Sequence, residues 1–377
     1  MRWIVLFGLL VGLMAETISP KYMVAKNCAG CHKWVVDGWK TSWHSRSHYS
    51  KDPLYKASLE YMAKRLHKPL ESIEVKCAQC HNPRIEKKSM SDEEIYEAGF
   101  GYKSKRLQKA ISEPYVKDGI NCIICHNIDR IKESPNPEDR GYRSIIWGPN
   151  DTMVGPFADA RSPYHKTKQG EHFLHPNKIC FICHYNRKNR YGRKIYTTGE
   201  EYEKSGSDRS CVDCHMSQKR EGRIANIVFD GYVPKIREIR SHLFMGARNG
   251  DILQKALDID VAPKGKRLYV ELINKTPHNV PTGYGSRVVV VEVEFDNKVV
   301  SKKELKAVFK DKKGRITIPH LGVKKVFDNR LEPNGKRSFE FSIPNGAKEA
   351  KIHIYYRLID EELAKKLLIH DKVFLRT

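Results

Sequence analysis

All ten cysteines of this 377-residue chain fall in one repeated five-residue word, CxxCH. NCAGCH supplies Cys28, Cys31 and His32, and KCAQCH supplies Cys77, Cys80 and His81. NCIICH gives Cys122, Cys125 and His126, ICFICH gives Cys180, Cys183 and His184, and SCVDCH gives Cys211, Cys214 and His215. Two thiols at i and i+3 on one turn of backbone reach the two vinyl groups along one edge of a porphyrin. The next His then swings beneath the iron as an axial ligand. The arithmetic predicts five covalently attached c-type haems, with these cysteines as tethers and His32, His81, His126, His184 and His215 as proximal ligands.

Competing uses of paired cysteines fit less well. Structural zinc takes two CxxC pairs per ion, so five pairs is an awkward number, and zinc has no need of a His after every second Cys. A thioredoxin-like redox motif occurs once, in a βαβ setting. A secreted disulfide framework does not repeat one spacing five times.

The ends of the chain carry different patterns. Arg2 precedes an apolar run from Trp3 to Met14, too short to span a bilayer comfortably but suited to a signal-peptide core. Residues 1–15 are therefore expected to be a signal peptide, with an uncleaved anchor as the rival, and the mature protein to be periplasmic or extracellular. Residues 16–250 read as a pentahaem domain of short helices and loops, such as helices at 52–66 and 91–110 separated by segments like ESPNPEDRGY and WGPNDTMVGP. Little regular structure is needed where a large flat porphyrin supplies the apolar interior. The 18 Tyr and 5 Trp suit packing against its faces.

Residues 260–377 lack the motif and turn to strand patterns. RLYVELIN, RVVVVEVEF, KELKAVF, GRITI, RSFEFSI and AKIHIYY are short, often alternating and rich in β-branched residues. About seven strands at this spacing predict an all-β, immunoglobulin-like sandwich, closed by a helix at 360–369. The fold class is thus a mainly α and loop multihaem cytochrome domain followed by a β-sandwich.

The formal charge is +23. Five haems with their propionates would subtract about 5 to 10 units, depending on oxidation state, so the loaded protein stays basic. Such a surface suits acidic redox proteins, quinol-linked donors, anionic lipid headgroups or small anions. Lysines spread evenly along an exported chain argue against nucleic acid.

The second axial ligand decides between a wire and a site of reaction. Two histidines saturate the iron, whereas an open face lets a small molecule bind. Sixteen histidines less the five in the motifs leave eleven, enough for every iron. His44 in WKTSWHSRSH is favoured over its neighbour His48. His165 and His172, in SPYHKTKQGEHFLHP, are favoured over His175. His242 in RSHLFMGA and His278 in NKTPHNVPTG complete the expected set, with Met245 behind His242 and Met216 set aside. His67, His320, His353 and His370 read as ordinary surface or hydrogen-bonded residues.

Several of these words resemble the multihaem cytochromes c related to cytochrome c-554, the electron acceptor of hydroxylamine oxidoreductase, and more broadly that oxidoreductase superfamily. The shared words are CAGCH followed by Trp39-x-x-Ser42-x-His44, the PYH at His165, YTTGEEYEKS before CVDCHM, and SHLFMGA. A β domain with a PHNVPTG-like segment is similar to domains appended to such cytochromes. The resemblance implies a haem-packed fold and electron transfer. The type cytochrome has four haems where this chain has five motifs. No motif here ends in Lys, as the active-site haem of pentahaem nitrite reductases often does, and no Tyr is marked for cross-linking.

Three functions follow as expectations: an electron carrier with mostly bis-His haems, an oxidoreductase acting on a small nitrogen or sulfur oxyanion at one open haem, and a subunit of a polymeric filament.

Overall fold

The computed structural model describes residues 24–84, 105–133 and 141–370, together with Glu93 and Phe100. The expected signal segment and its cleavage point lie outside the described residues, as does much of the helix expected at 91–110, whose described end is the helix Lys105–Ile111. Among the described residues no helix is long and apolar enough to cross a membrane.

The motif-bearing part is built of short helices joined by small ladders. The helix Pro53–Leu66 begins where Asp52 accepts hydrogen bonds from the Leu54 and Tyr55 amides, and Pro53 occupies its first turn. His67 ends it in the left-handed conformation, φ 51°, so this His acts through its backbone. Leu54, Leu59 and Met62 form the buried stripe of that helix. Between and after the motifs, four two-stranded ladders tie the loops. They pair β1 (Ile128–Ile131) with β2 (Ile145–Trp147), β3 (Thr152–Gly155) with β4 (Lys166–Gln169), β5 (Arg187–Lys188) with β6 (Lys194–Tyr196), and β7 (Lys219–Gly222) with β8 (Arg237–Arg240). The β3–β4 pair is parallel and the others are antiparallel.

The C-terminal part holds two antiparallel sheets. One runs β15 (Lys336–Ser342), β10 (Arg267–Asn274), β9 (Leu257–Lys264). The other runs β13 (Ile316–Thr317), β12 (Lys298–Lys310), β11 (Val288–Phe295), β16 (Ala350–Arg357), with β14 (Lys324–Asp328) also on β12. Strands β9 and β14 are absent from the six read in the sequence; both are exposed along most of their length. LDIDVAPK does alternate, with Leu257, Ile259 and Val261 on one side, but Ile259 and Val261 stay exposed, and KKVFD is short. The helix Glu361–Lys366 closes the chain, with Asp360 accepting from the Glu362 and Leu363 amides.

The two sheets bury facing side chains in one core. Leu268, Val270, Leu272 and Phe341 come from the first sheet, and Val289, Val291, Val293 and Leu305 from the second. The same cluster takes in Leu54, Leu59, Met62 and Ile73 from the helices that lead to the second motif. This shared core fixes the β part against the motif-bearing part, which lets β-part loops reach the motif histidines.

Candidate haem sites

Four of the five motifs end a short helix: Leu70–His81, Cys122–His126, Asn177–His184 and Cys211–His215. The first follows a single turn of 3-10 helix, Ala25–Cys28, in which the His32 amide donates to Cys28 O. A single turn is enough to set both thiols along one edge with the His after them.

Each motif His has its Nδ1 engaged. His32 Nδ1 donates to Ile224 O (2.9 Å), His126 Nδ1 to Val154 O (2.7 Å) and His215 Nδ1 to Met245 O (2.5 Å). His184 Nδ1 meets the Tyr196 hydroxyl at 2.6 Å, and His81 Nδ1 the Ser47 hydroxyl at 2.9 Å. Holding the proton on Nδ1 leaves the Nε2 lone pair for a metal. Burial lowers His81 and His184 to about 4, so these imidazoles stay neutral, as ligation requires.

Four motif imidazoles face a second imidazole. Ring centroids lie 6.5 Å apart for His32 and His165, 6.1 Å for His184 and His44, 6.2 Å for His126 and His242, and 6.3 Å for His215 and His278. A metal–imidazole bond of about 2 Å, plus roughly 1 Å from nitrogen to ring centre, taken on both sides of one ion, gives a separation of roughly 6 Å. The spacing therefore fits an iron between each pair. Among the described residues, no three His, Cys, Asp or Glu side chains gather into a metal-binding cluster.

Local sequence explains how each facing His is held. Trp39 Nε1 donates to Ile120 O (2.7 Å), and the Ile120 amide donates to His44 O (2.9 Å). Ser42 Oγ donates back to Trp39 O (2.7 Å), so the Trp-x-x-Ser-x-His word is a device for pinning His44 beside the third motif. Gly119, at φ +68°, is required there, because a Cβ would lie 2.4 Å from His44 O. His165 directly precedes β4, whose partner β3 supplies the carbonyl that orients His126.

SHLFMGA serves three sites at once. His242 faces His126, Met245 O accepts from His215, and the Phe244 ring lies 4.3 Å from His44. Met245 thus acts through its carbonyl. His278 is placed by Glu201, which is nearly buried on the helix Thr198–Ser205. Glu201 Oε2 accepts from the Asn279 amide (3.1 Å) and Thr282 Oγ1 (2.5 Å), while Oε1 accepts from Arg330 (3.2 Å). Glu201 escaped the sequence reading, although YTTGEEY and PHNVPTG were both noticed as words.

His172 is not brought opposite a motif imidazole. It sits on the short helix Glu171–Leu174, buried, with its Nε2 lacking a partner, while the adjoining Phe173 stacks on His126 and His242 takes the facing position. His48 is buried and hydrogen-bonded to Ser50 and Ile111 O, and His175 is exposed.

The second motif differs from the others. Among the described residues no second imidazole lies opposite His81 at 6.1–6.5 Å. Instead the Tyr55 ring stacks on it, 4.0 Å away and 7° from parallel. Nearby, Tyr284 lies 5.8 Å from the His320 ring, whose buried Nδ1 has no partner and whose proton affinity burial depresses to about 4. His320, set aside as an ordinary residue in the sequence, thus lies in the second-motif neighbourhood, where His81 is felt electrostatically.

The sites adjoin one another. Thiols of different motifs lie close enough to shift one another's ionisation in three pairs, Cys28 with Cys122, Cys80 with Cys183, and Cys180 with Cys211. Cys125 is close enough to Cys180 and Cys183 to perturb both. The fourth site is central: burial first, then the charges of His184, His242, His215 and His81, lower His44 to about 3.

Residues 27–127, which contain the first three motifs, match the family described as cytochrome c554 and c-prime. The crystal structure of a penta-haem cytochrome c552 from Thermochromatium tepidum is similar over 94% of this chain and 97% of that one, with a TM-score of 0.72 and 19% identity. No curated protein matches the chain. The chain has the fold of a multihaem c-type cytochrome.

Proposed function

We propose that the protein is an exported electron-transfer cytochrome carrying five covalent haems. Cys28/Cys31, Cys77/Cys80, Cys122/Cys125, Cys180/Cys183 and Cys211/Cys214 would hold them. His32–His165, His126–His242, His184–His44 and His215–His278 would ligate four of the irons from both sides. Each bound haem would supply a one-electron centre whose six-coordinate iron changes oxidation state with little rearrangement. The observation carrying this reading is the set of four imidazole pairs at 6.1–6.5 Å.

The chain's part is to fix the ligands and bring the centres together. Thiol proximities support placing the first site beside the third, the third beside the fourth, and both the second and fifth beside the fourth. On this reading the relay would be branched rather than a single row. The β part would act as a structural arm that delivers His278 and walls the second site. A basic surface would steer acidic redox partners to the protein. Haem-resolved redox titration of the secreted protein tests the reading: five one-electron centres are expected, and a redox-inert or zinc-loaded product would contradict it.

A second reading rests on the second site. A haem there with no His opposite His81 would leave a face lined by Tyr284 and His320 for a small nitrogen or sulfur oxyanion. Nitric oxide or cyanide should then bind one iron in five; binding to none would remove this reading.

A further inference from the structure

Arg84 stands three residues beyond the second motif and is only 4% exposed. A guanidinium this deep is stable only with a counter-ion, because losing water around a charge is heavily unfavourable. Its visible partners are neutral. It donates to Asn127 Oδ1, and its carbon lies 3.8 Å from the centre of the Trp147 ring. No Asp or Glu pairs with it among the described residues, and burial pushes it down to about 9.

Two buried donors remain unused. Arg84 Nε and Trp147 Nε1 both lack an acceptor, and they belong to side chains stacked on one another. Asn127 holds the arrangement in place. Its amide nitrogen donates to Pro149 O (2.8 Å) and Thr152 O (2.9 Å), which turns its oxygen toward Arg84. Asn127 directly follows His126, and Trp147 packs with Cys183 against Ile128, Ile145 and Ile182. The unused donors therefore lie where the second, third and fourth motifs meet. Each porphyrin brings two carboxylates, and the planar guanidinium fork matches a carboxylate.

Resting on the haem reading above, we propose that Arg84 and Trp147 form a buried carboxylate clamp that holds a propionate of a haem on one of these three motifs. A fixed positive charge at that carboxylate favours the reduced haem, so the clamp would also raise that centre's potential.

The test uses the haem-loaded protein and the variants R84Q, R84K and W147F, each weighed to establish its haem count. A wild type with fewer than five haems would sink the haem reading itself, independently of the clamp. With five bound, R84Q should shift a propionate bending band in the resonance Raman spectrum and lower the midpoint of one centre. R84K should restore the midpoint but not the band, and W147F should move the band alone. If R84Q fails to mature, R84K and W147F decide the matter by the band. Spectra and midpoints that superimpose on wild type in every variant would overturn the proposal. So would a wild-type band that responds to added formate and loses that response in R84K, since the carboxylate would then be a free anion.

Discussion

Glu201 joins the motif-bearing part to the loop that carries His278, and replacing it gives a quantitative test of that arrangement. Its carboxylate accepts from Thr197 Oγ1 (2.6 Å), Thr282 Oγ1 (2.5 Å), the Asn279 amide (3.1 Å) and Arg330 (3.2 Å) at 8% exposure. Breaking a buried ion pair from one side typically costs about 3–5 kcal/mol. Arg330 retains Asp328 at 2.9 and 3.0 Å, so no charge is stranded and Glu201→Ala should fall near the lower end, about 3 kcal/mol. Glu201→Gln keeps one acceptor oxygen but turns an amide toward a donor, and should cost about 1–2 kcal/mol. Because the Asn279 amide is released, His278 should lose its place opposite His215. Denaturant melts give the first quantity, and electron paramagnetic resonance of the oxidised protein gives the second, as one low-spin iron converted to high spin. A loss below about 1 kcal/mol for Glu201→Ala, with every low-spin signal intact, would refute this account of how the two parts are joined.

Other perturbations have equally definite outcomes. Burial and Glu71 raise Glu74 from 4.5 to about 7. A raised carboxyl stabilises the fold below its unfolded value and loses that contribution as pH climbs through its folded value. Glu74→Gln should therefore gain stability relative to wild type between pH 4.5 and about 7, measured by melts on either side of that window. Leu59→Ala, at 0% exposure in the shared core, should cost about 2–5 kcal/mol in the same assay. Gly38→Ala would put a Cβ 2.9 Å from Ser241 Oγ and 3.2 Å from the His242 amide. It should alter one low-spin signal, that of the His126 site, and leave the other signals unchanged. Electron exchange with an acidic redox protein should slow as salt rises, since screening removes steering by a basic surface; stopped-flow rates that ignore ionic strength would contradict it.

The candidate tethers and proximal histidines were legible because chemistry fixes their spacing within five residues. Local words surround His44 and His165, which stand opposite motif histidines, and the Trp39–Ser42–His44 contacts explain the first of those words. The partnership between facing histidines was not legible, because His126 meets His242 across more than a hundred residues and only packing decides it. The same holds for His172, which lies near the fourth motif in sequence while Phe173 takes the place against His126. Glu201 and Arg84 left no local signal, since each acts through partners contributed by distant segments. Strands β10, β11 and β16 were announced by their β-branched residues, whereas β9, which also alternates at Leu257, Ile259 and Val261, and the short β14 are exposed along most of their length. The shared core of Leu59 with Val291 and Leu272 lies equally beyond any local pattern.

Quantitative electron paramagnetic resonance and magnetic circular dichroism of the oxidised, haem-loaded protein bear most directly on the ligand assignment. The four imidazole pairs predict four low-spin bis-imidazole irons per chain, with the iron at His81 distinguishable from them. Fewer than four bis-imidazole irons, or five indistinguishable ones, would contradict it.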